Sequence, residues 1–188
     1  SMAMVASLIS AVISLALAFL GSNTTAPWKP LKKIIRAFAS LQRNIPSMIW
    51  TFLLIMSFGI GTVVGTLALL ITTCGFLIRS FIETIDEVGG ESLEALQSVG
   101  AGRLSIITQV IIPASLPGFL SWLLYSLEVN IRSSTLVGAV GGGGIGLIMM
   151  GYIKQFRYHS AMGVILLVAV IVILVDLLTN YLRKKVLA

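Results

Sequence analysis

The sequence predicts an all-α protein, a polytopic bundle of about five transmembrane helices forming a single transmembrane domain over residues 1–188. Hydrophobic residues make up 57% of the chain and charged residues 11%, whereas ordinary soluble domains carry about 25% charged residues. A soluble fold of this length cannot hide so much apolar surface, so lipid is the expected solvent. The crossings are predicted near residues 2–20, 45–58, 62–80, 106–127 and 161–182.

The first predicted span, residues 2–20, carries no charge and has the length of roughly 20 residues that a crossing needs. No charged region precedes it and no cleavage site is evident, so we expect no signal peptide. Residues 45–78 are too long for one crossing at about 1.5 Å per residue. Glycines divide them into two helices with a tight turn near residues 57–61. The first of these helices is short unless it begins before Pro46, near Ile34.

The basic residues orient these spans. If the polar segments 21–44 and 79–105 and the C-terminal tail share one side, that side carries ten Lys and Arg residues against three on the other. Cytoplasmic segments carry the excess of Lys and Arg. We therefore expect a multi-pass protein with the N-terminus outside and the C-terminus in the cytoplasm. The net charge of +6 reflects this topology and does not indicate a nucleic-acid partner.

A short cytoplasmic helix is predicted near residues 88–103. Leu93, Leu96 and Val99 recur every three residues and form one apolar stripe. Such a stripe is typical of a helix that docks into a partner's groove. It is equally typical of a helix that lies on the membrane surface or on its own bundle, and the pattern alone leaves both open.

This segment resembles the coupling motif of ABC importer permeases. In that motif an EAA triplet is followed, after three residues, by Gly and, after nine more, by Ile-x-Leu-Pro. Here the residues are Glu94-Ala95-Leu96, Gly100 and then Val-Ile-Ile-Pro, with every spacing kept. Leu96 replaces the second alanine. The resemblance implies that Glu94, Ala95, Leu96 and Gly100 couple a cytoplasmic ATPase to the membrane helices.

A run of four glycines, Gly141, Gly142, Gly143 and Gly144, follows the fourth span. It cannot form a stable helix, because each glycine costs about 1 kcal/mol relative to alanine. Irregular backbone at membrane depth is tolerated only within protein or beside water. We therefore predict a bend or re-entrant loop that lines the pathway or closes its outer end. No lysine follows Gly146, as a phosphate-binding loop would require, so this chain is not expected to bind ATP.

The residues before the glycines extend the resemblance to the phosphonate-type permease family, with its Asn-x-Arg-Ser-x-Thr pattern. The resemblance covers nearly the whole chain, and the related methionine permeases share the glycine segment. Arg132 can offer bidentate donors to an oxyanion, or it can pair with Glu128 one turn away. The predicted residues of the pathway or gate, besides the glycines, are Asn130, Arg132, Ser133, Ser134 and Thr135.

The resemblance implies the type I (MetI-like) fold of ABC importer permeases and a non-catalytic subunit in the bacterial inner membrane. It implies transport of phosphonate or a related oxyanion by a homodimer in the membrane lipid. Two cytoplasmic ATPase subunits would bind ATP and Mg, an extracytoplasmic protein would deliver the substrate, and this chain would hold no cofactor. Phosphate, phosphite, methionine or an osmoprotectant are the alternative cargoes. Full-length members usually carry additional N-terminal sequence, which could hold another helix.

Two other classes are weighed against a transporter subunit. An intramembrane protease needs a Ser/His pair or two membrane Asp residues. The chain offers one histidine, His159, at a span boundary and one membrane acid, Asp176, so we expect neither an enzyme nor a metal site. A passive channel or scaffold is the second alternative. The acids Glu83, Asp86 and Glu87 are expected on a solvated helix face.

Overall fold

The computed structural model describes residues 2–26, 28–98 and 102–187, and within them all side chains except those of 91–98, 103–104 and 186–187. All regular secondary structure in the described residues is helical, so the all-α prediction is confirmed. The helices are α1 (Met2–Gly21), α2 (Lys29–Asn44), α3 (Ser47–Phe58), α4 (Thr62–Ser98), α5 (Arg103–Ile106), α6 (Ile112–Val137), α7 (Gly144–Lys154) and α8 (Tyr158–Leu187), with π-helical turns at Ile107–Ile111 and Gly138–Gly142.

In the described part of the chain, four helical segments are long and apolar enough to cross a membrane. They are Met2–Gly21, Thr62–Gly90, Ile107–Gly142 and Tyr158–Lys185. These segments contain four of the five predicted spans, and three of them extend well beyond the predicted bounds. The fifth prediction, residues 45–58, corresponds to α3, which has 12 residues. At 1.5 Å per residue α3 is about 18 Å long, too short for a hydrocarbon core of about 30 Å.

The second crossing is instead shared by α2 and α3. α2 runs antiparallel to α4 from the Arg36–Asp86 ion pair to a close contact of its last turn with Gly75. α3 then continues along α4 to the turn before Thr62. The two helices are separate because Pro46 has no N–H and disfavours helical backbone in the residue before it. The polar segment predicted as a loop is therefore mostly a helix packed on the bundle.

The helix predicted near residues 88–103 is also corrected. Up to Ser98 it is the continuation of α4, which leaves the membrane-spanning segment without a break. Gly89 lies within this helix and does not interrupt it. Its role there is to allow close packing. A Cβ at this position would lie 2.6 Å from the Thr24 Cγ2 atom, so only glycine lets the connection between α1 and α2 lie against α4.

α4 is the central helix and contacts α1, α2, α3 and α6. One face of α1 is lined with small polar residues, which allow close approach of helices in a membrane. The hydroxyl of Ser10 donates to the Leu70 carbonyl at 3.0 Å, and that of Ser14 donates to the Cys74 carbonyl at 3.3 Å. α8, by contrast, is only 6% buried within the chain. Its apolar surface therefore faces lipid or another subunit.

Candidate functional site

Asn130, predicted in the pathway, ties three helices together in the membrane interior. Its Oδ1 accepts a hydrogen bond from Thr73 Oγ1 at 2.9 Å, and its Nδ2 donates to Ser7 Oγ at 2.8 Å. The side chain is 4% exposed. A buried amide must have its donors and acceptors satisfied, and here α1 and α4 satisfy those of α6. Asn130 thus fixes the packing of the three helices beside the cavity described below.

Arg132 lies in an ion pair within α6. Its Nη2 atom is 2.9 Å from Glu128 Oε1, one turn earlier. The guanidinium is exposed, whereas the glutamate is largely buried. The ion pair with Glu128, one of the two possibilities that the sequence left open, is therefore present. A role of Arg132 in the pathway stays a prediction.

The three hydroxyl residues after Arg132 differ in their surroundings. Ser133 lines a cavity between α2, α3, α4 and α6. Ser134 donates to the Ile131 carbonyl of its own helix at 2.7 Å. At Thr135 the backbone carbonyl lies against Gly146, which has no space for a side chain. The structure therefore brings one of the three, Ser133, to the cavity.

The predicted bend at the glycines is confirmed. Gly141 has φ +111° and Gly143 has φ +80°, values that side-chain-bearing residues rarely adopt. At the same point α4 and the π-helical turn Gly138–Gly142 meet backbone to backbone, and a Cβ on Gly65 would overlap the Gly142 carbonyl oxygen. The Gly61 N–H also donates to the Gly141 carbonyl at 3.2 Å. The glycine segment thus closes one end of the bundle against the start of α4.

A cavity of about 210 Å³ lies between α2, α3, α4 and α6. Its walls are closed by Leu69, Phe76, Tyr125 and Val129. Seven polar residues line it: Arg43, Ser47, Thr72, Thr73, Ser126, Asn130 and Ser133. Two of these seven residues, Asn130 and Ser133, were predicted as pathway residues. The other five were not singled out from the sequence.

Arg43 is the charged residue of this cavity, and its side chain is exposed. Its backbone nitrogen is 3.0 Å from the Cβ position of Gly75 on α4. Gly75 lies one helical turn, about 6 Å at 1.5 Å per residue, from Arg79, whose ion pair with Glu83 is exposed. Burial at Ile35 and Ala39 of α2 follows a helical period. This spacing was the signal in the sequence that could have placed Arg43 on a packed helix.

At one end of α4, Asp86 is the centre of a hydrogen-bond network. It accepts from Ser22 Oγ at 2.6 Å, from the Asn23 backbone N–H at 2.7 Å and side chain at 2.6 Å, and from Arg36 Nη2 at 2.6 Å. Arg36 Nε also donates to the Gly21 carbonyl at 2.9 Å. The expectation of a solvated face is therefore wrong for Asp86, because α1 and α2 cover it.

We expect Asp86→Ala to lower the stability of the folded protein by roughly 3 kcal/mol, because it leaves Arg36 and three further donors without an acceptor. The matched control is Glu83→Ala. Glu83 also pairs with an arginine at 2.6 Å, but that pair is exposed, and such pairs contribute about 1 kcal/mol or less. Thermal unfolding in mild detergent measures both. Equal shifts of Tm in the two variants would contradict the role given to Asp86.

The predicted coupling residues lie at the same end of the bundle as Asp86. Glu94, Ala95 and Leu96 belong to the last turns of α4, whose backbone is described. Their side chains, and Gly100 altogether, lie outside the described residues. The last residue of the motif, Pro113, is in the first turn of α6. The motif therefore starts on α4 and ends on α6, two of the four helices that line the cavity.

Fold and site together define a polytopic helical membrane protein with a cavity between its helices. The chain matches, over residues 10–188, the family model described as binding-protein-dependent transport system inner membrane component. It belongs to this family.

Named relatives support the same family. The chain is 30% identical to the phosphite transport system permease protein PtxC of Stutzerimonas stutzeri, over 98% of this chain and 67% of that protein. It is 28% identical to the phosphate-import permease protein PhnE of Mycolicibacterium smegmatis, over 97% of this chain and 34% of that protein. It is 30% identical to the methionine import system permease protein MetP of Bacillus subtilis, over 84% and 76%. The chain thus spans from about a third to three quarters of these relatives.

Solved structures share the fold. A chain of the MetNI methionine ABC transporter in inward-facing conformations aligns with a TM-score of 0.79 at 25% identity, covering 98% of this chain and 91% of that one. A chain of an amino acid ABC transporter with histidines aligns with a TM-score of 0.81 at 19% identity, covering 98% and 88%, and this likeness concerns the fold alone. The predicted type I fold of ABC importer permeases is confirmed.

Proposed function

We propose that this chain is the membrane-spanning permease subunit of an ATP-driven importer that moves phosphonate or a related phosphorus oxyanion across the bacterial inner membrane. The observation that carries the proposal is the family match over residues 10–188. The spacing of the residues from Glu94 to Pro113, kept as in the coupling motif, supports it. The chain does no covalent chemistry in this role.

The cargo is proposed from the relatives and from the cavity. Phosphate, phosphite and phosphonate permeases are among the proteins similar to this chain. Their named cargoes share a tetrahedral phosphorus with anionic oxygens, which an arginine and several hydroxyls suit. Methionine is the second candidate, because methionine permeases are also similar to the chain.

The proposed assembly is a homodimer of this chain with two cytoplasmic ATPase subunits, which bind ATP and Mg, and an extracytoplasmic protein that delivers the substrate. The nearly unburied α8 supports a neighbour in the membrane. The proposed orientation has the N-terminus outside and the C-terminus in the cytoplasm. Without Arg43, which lines the cavity, nine basic residues remain on the proposed cytoplasmic side against three, and the bias persists.

The proposed mechanism depends on the continuity of α4. This helix joins the coupling residues at one end to the contact of Gly65 with Gly142 at the other. A helix moves as a rigid body when a partner displaces one end. Closure of the ATPase pair on ATP would therefore shift Gly65 against the glycine segment and open or close that end of the pathway.

Reconstitution tests this function. The complex of this chain with its ATPase and binding protein is placed in liposomes, and uptake of labelled methylphosphonate, phosphite, phosphate and methionine is compared with and without ATP. We expect ATP-dependent accumulation of at least one phosphorus oxyanion. Accumulation of methionine alone would change the cargo, and ATP-independent flux of all four would replace the importer with a channel.

A further inference from the structure

We propose that the cavity beside Arg43 is a binding site for the tetrahedral phosphorus oxyanion in transit, with Arg43 as the residue that contacts the anion. This inference rests on the proposed importer function and adds to it a binding site between the helices. The juxtaposition behind it is a guanidinium without an ion-pair partner in the described part of the chain and the hydroxyl groups of Ser47 and Ser133, all of which line one cavity.

The charge of Arg43 has no counter-charge in the described residues. The ion pairs there join Arg36 to Asp86, Arg79 to Glu83 and Arg132 to Glu128, and none includes Arg43. A cation within a membrane-spanning bundle is costly unless it faces water or an anion. The packing of α2 on α4 holds the backbone of Arg43 against Gly75, and its exposed side chain lines the cavity.

The hydroxyl groups supply the remaining contacts. Those of Ser47 and Ser133 make no hydrogen bond within the part of the chain that the structure describes, and both line the cavity. They are therefore free to donate to an anion. Ser47 is also the first residue of the 12-residue helix α3, and the positive end of the helix dipole adds to the attraction for an anion there.

The size and strength of the site suit passage. A volume of about 210 Å³ is several times the roughly 30 Å³ that one water molecule takes up in the liquid. The cavity therefore has room for a small oxyanion with part of its hydration. One arginine with neutral hydroxyls gives a weaker site than several cations would, and conduction requires that the substrate can leave.

Arg132 is the other arginine near the cavity, and the structure separates the two. Both arginines are exposed, but Arg132 is already neutralised by Glu128 at 2.9 Å. Binding an oxyanion there would compete with an ion pair in place. Arg43 offers its charge without that competition, so the geometry favours Arg43 as the anion contact.

The test compares Arg43→Gln, Arg43→Lys and a matched control, Lys33→Gln, which removes one charge from an exposed position of the same helix. Each variant is reconstituted as the full complex in liposomes, and kcat and KM are measured for ATP-driven uptake of labelled phosphite and methylphosphonate. We expect Arg43→Gln to lower kcat/KM about 10- to 100-fold, the range for a lost hydrogen bond to a charged group. Arg43→Lys should recover part of the loss, and Lys33→Gln should match the wild type.

Unchanged uptake kinetics in Arg43→Gln would overturn the site while leaving the importer function intact. The dimer of each variant is also measured by chemical crosslinking. Loss of the dimer in Arg43→Gln would overturn the proposed site, because it would indicate that the guanidinium pairs with a carboxylate of the second subunit. If Arg43→Gln does not assemble, the KM values of Arg43→Lys and Ser133→Ala decide. A raised KM supports the site, whereas an unchanged KM in both variants would mean that the charge of Arg43 is merely structural. A wild-type complex that hydrolyses ATP but accumulates no phosphorus oxyanion contradicts the proposed function itself, and the inference falls with it.

Discussion

Glu94→Lys is expected to reduce ATP-driven uptake by about tenfold or more while the protein still inserts and folds. Glu94 is the acid of the predicted coupling motif, at the end of α4 that continues beyond the membrane-spanning segment. A lost charge-assisted contact with a partner corresponds to roughly 1.5–3 kcal/mol, and reversal of the charge adds repulsion. Uptake and ATP hydrolysis are measured together in the reconstituted complex, and we expect hydrolysis to become independent of uptake.

The matched control is Glu83→Lys, the same charge reversal on the same helix outside the motif. Glu83 pairs with Arg79 on the surface, and a like-charge pair at this spacing costs only a few tenths of a kcal/mol, about 0.2–0.5. Uptake by this variant should stay close to that of the wild type. Normal uptake in Glu94→Lys, or equal losses in the two variants, would contradict the coupling role.

The second large effect is expected from Gly65→Val, which should prevent most of the protein from folding. The backbone of α4 at Gly65 touches the carbonyl of Gly142, and any Cβ there would overlap it. Backbone atoms cannot move aside as a flexible side chain can. We therefore expect the free energy of unfolding to fall by about 3 kcal/mol or more. The fraction of monodisperse protein extracted in mild detergent, and its Tm, measure the effect.

Gly163→Ala is the control for this substitution. Gly163 lies in α8 with no atom near the position of a Cβ, and alanine there removes a glycine from a helix interior, which is neutral or stabilising by up to about 1 kcal/mol. If Gly65→Val yielded as much folded protein as Gly163→Ala, the contact between α4 and the glycine segment would not exist in the membrane.

The long apolar helices could be predicted from the sequence because composition and length determine them. The crossing formed by α2 and α3 could not, because α2 carries five basic residues and reads as a polar loop. What holds α2 in the bundle is its packing on α4 through Ile35 and Ala39, and the pairing of Arg36 with Asp86, fifty residues away. Such long-range partners have no local signal in a single sequence.

The candidate site, like the fold, could be predicted only in part from the sequence. The glycine bend was predictable, because a run of glycines disfavours a regular helix and readily takes the positive φ angles seen at Gly141 and Gly143. The resemblance supplied the coupling residues and the polar residues of α6. The cavity was not predictable, because it needs the register of α2 against α4, which brings Arg43 beside Thr72 and Ser126. Arg43 was counted with a loop, and only packing places it beside the cavity.

In the proposed importer, the end of α4 meets a nucleotide-driven motor in the cytoplasm. Site-specific crosslinking tests it most directly, with Ala95→Cys placed in a variant that lacks Cys74 and paired with single cysteines on the ATPase subunit in native membranes. We predict an intermolecular crosslink whose yield changes on addition of ATP, and protection of the introduced cysteine from impermeant thiol reagents applied outside the cell. Labelling of that cysteine from outside, or the absence of any crosslink to an ATPase, would contradict the account.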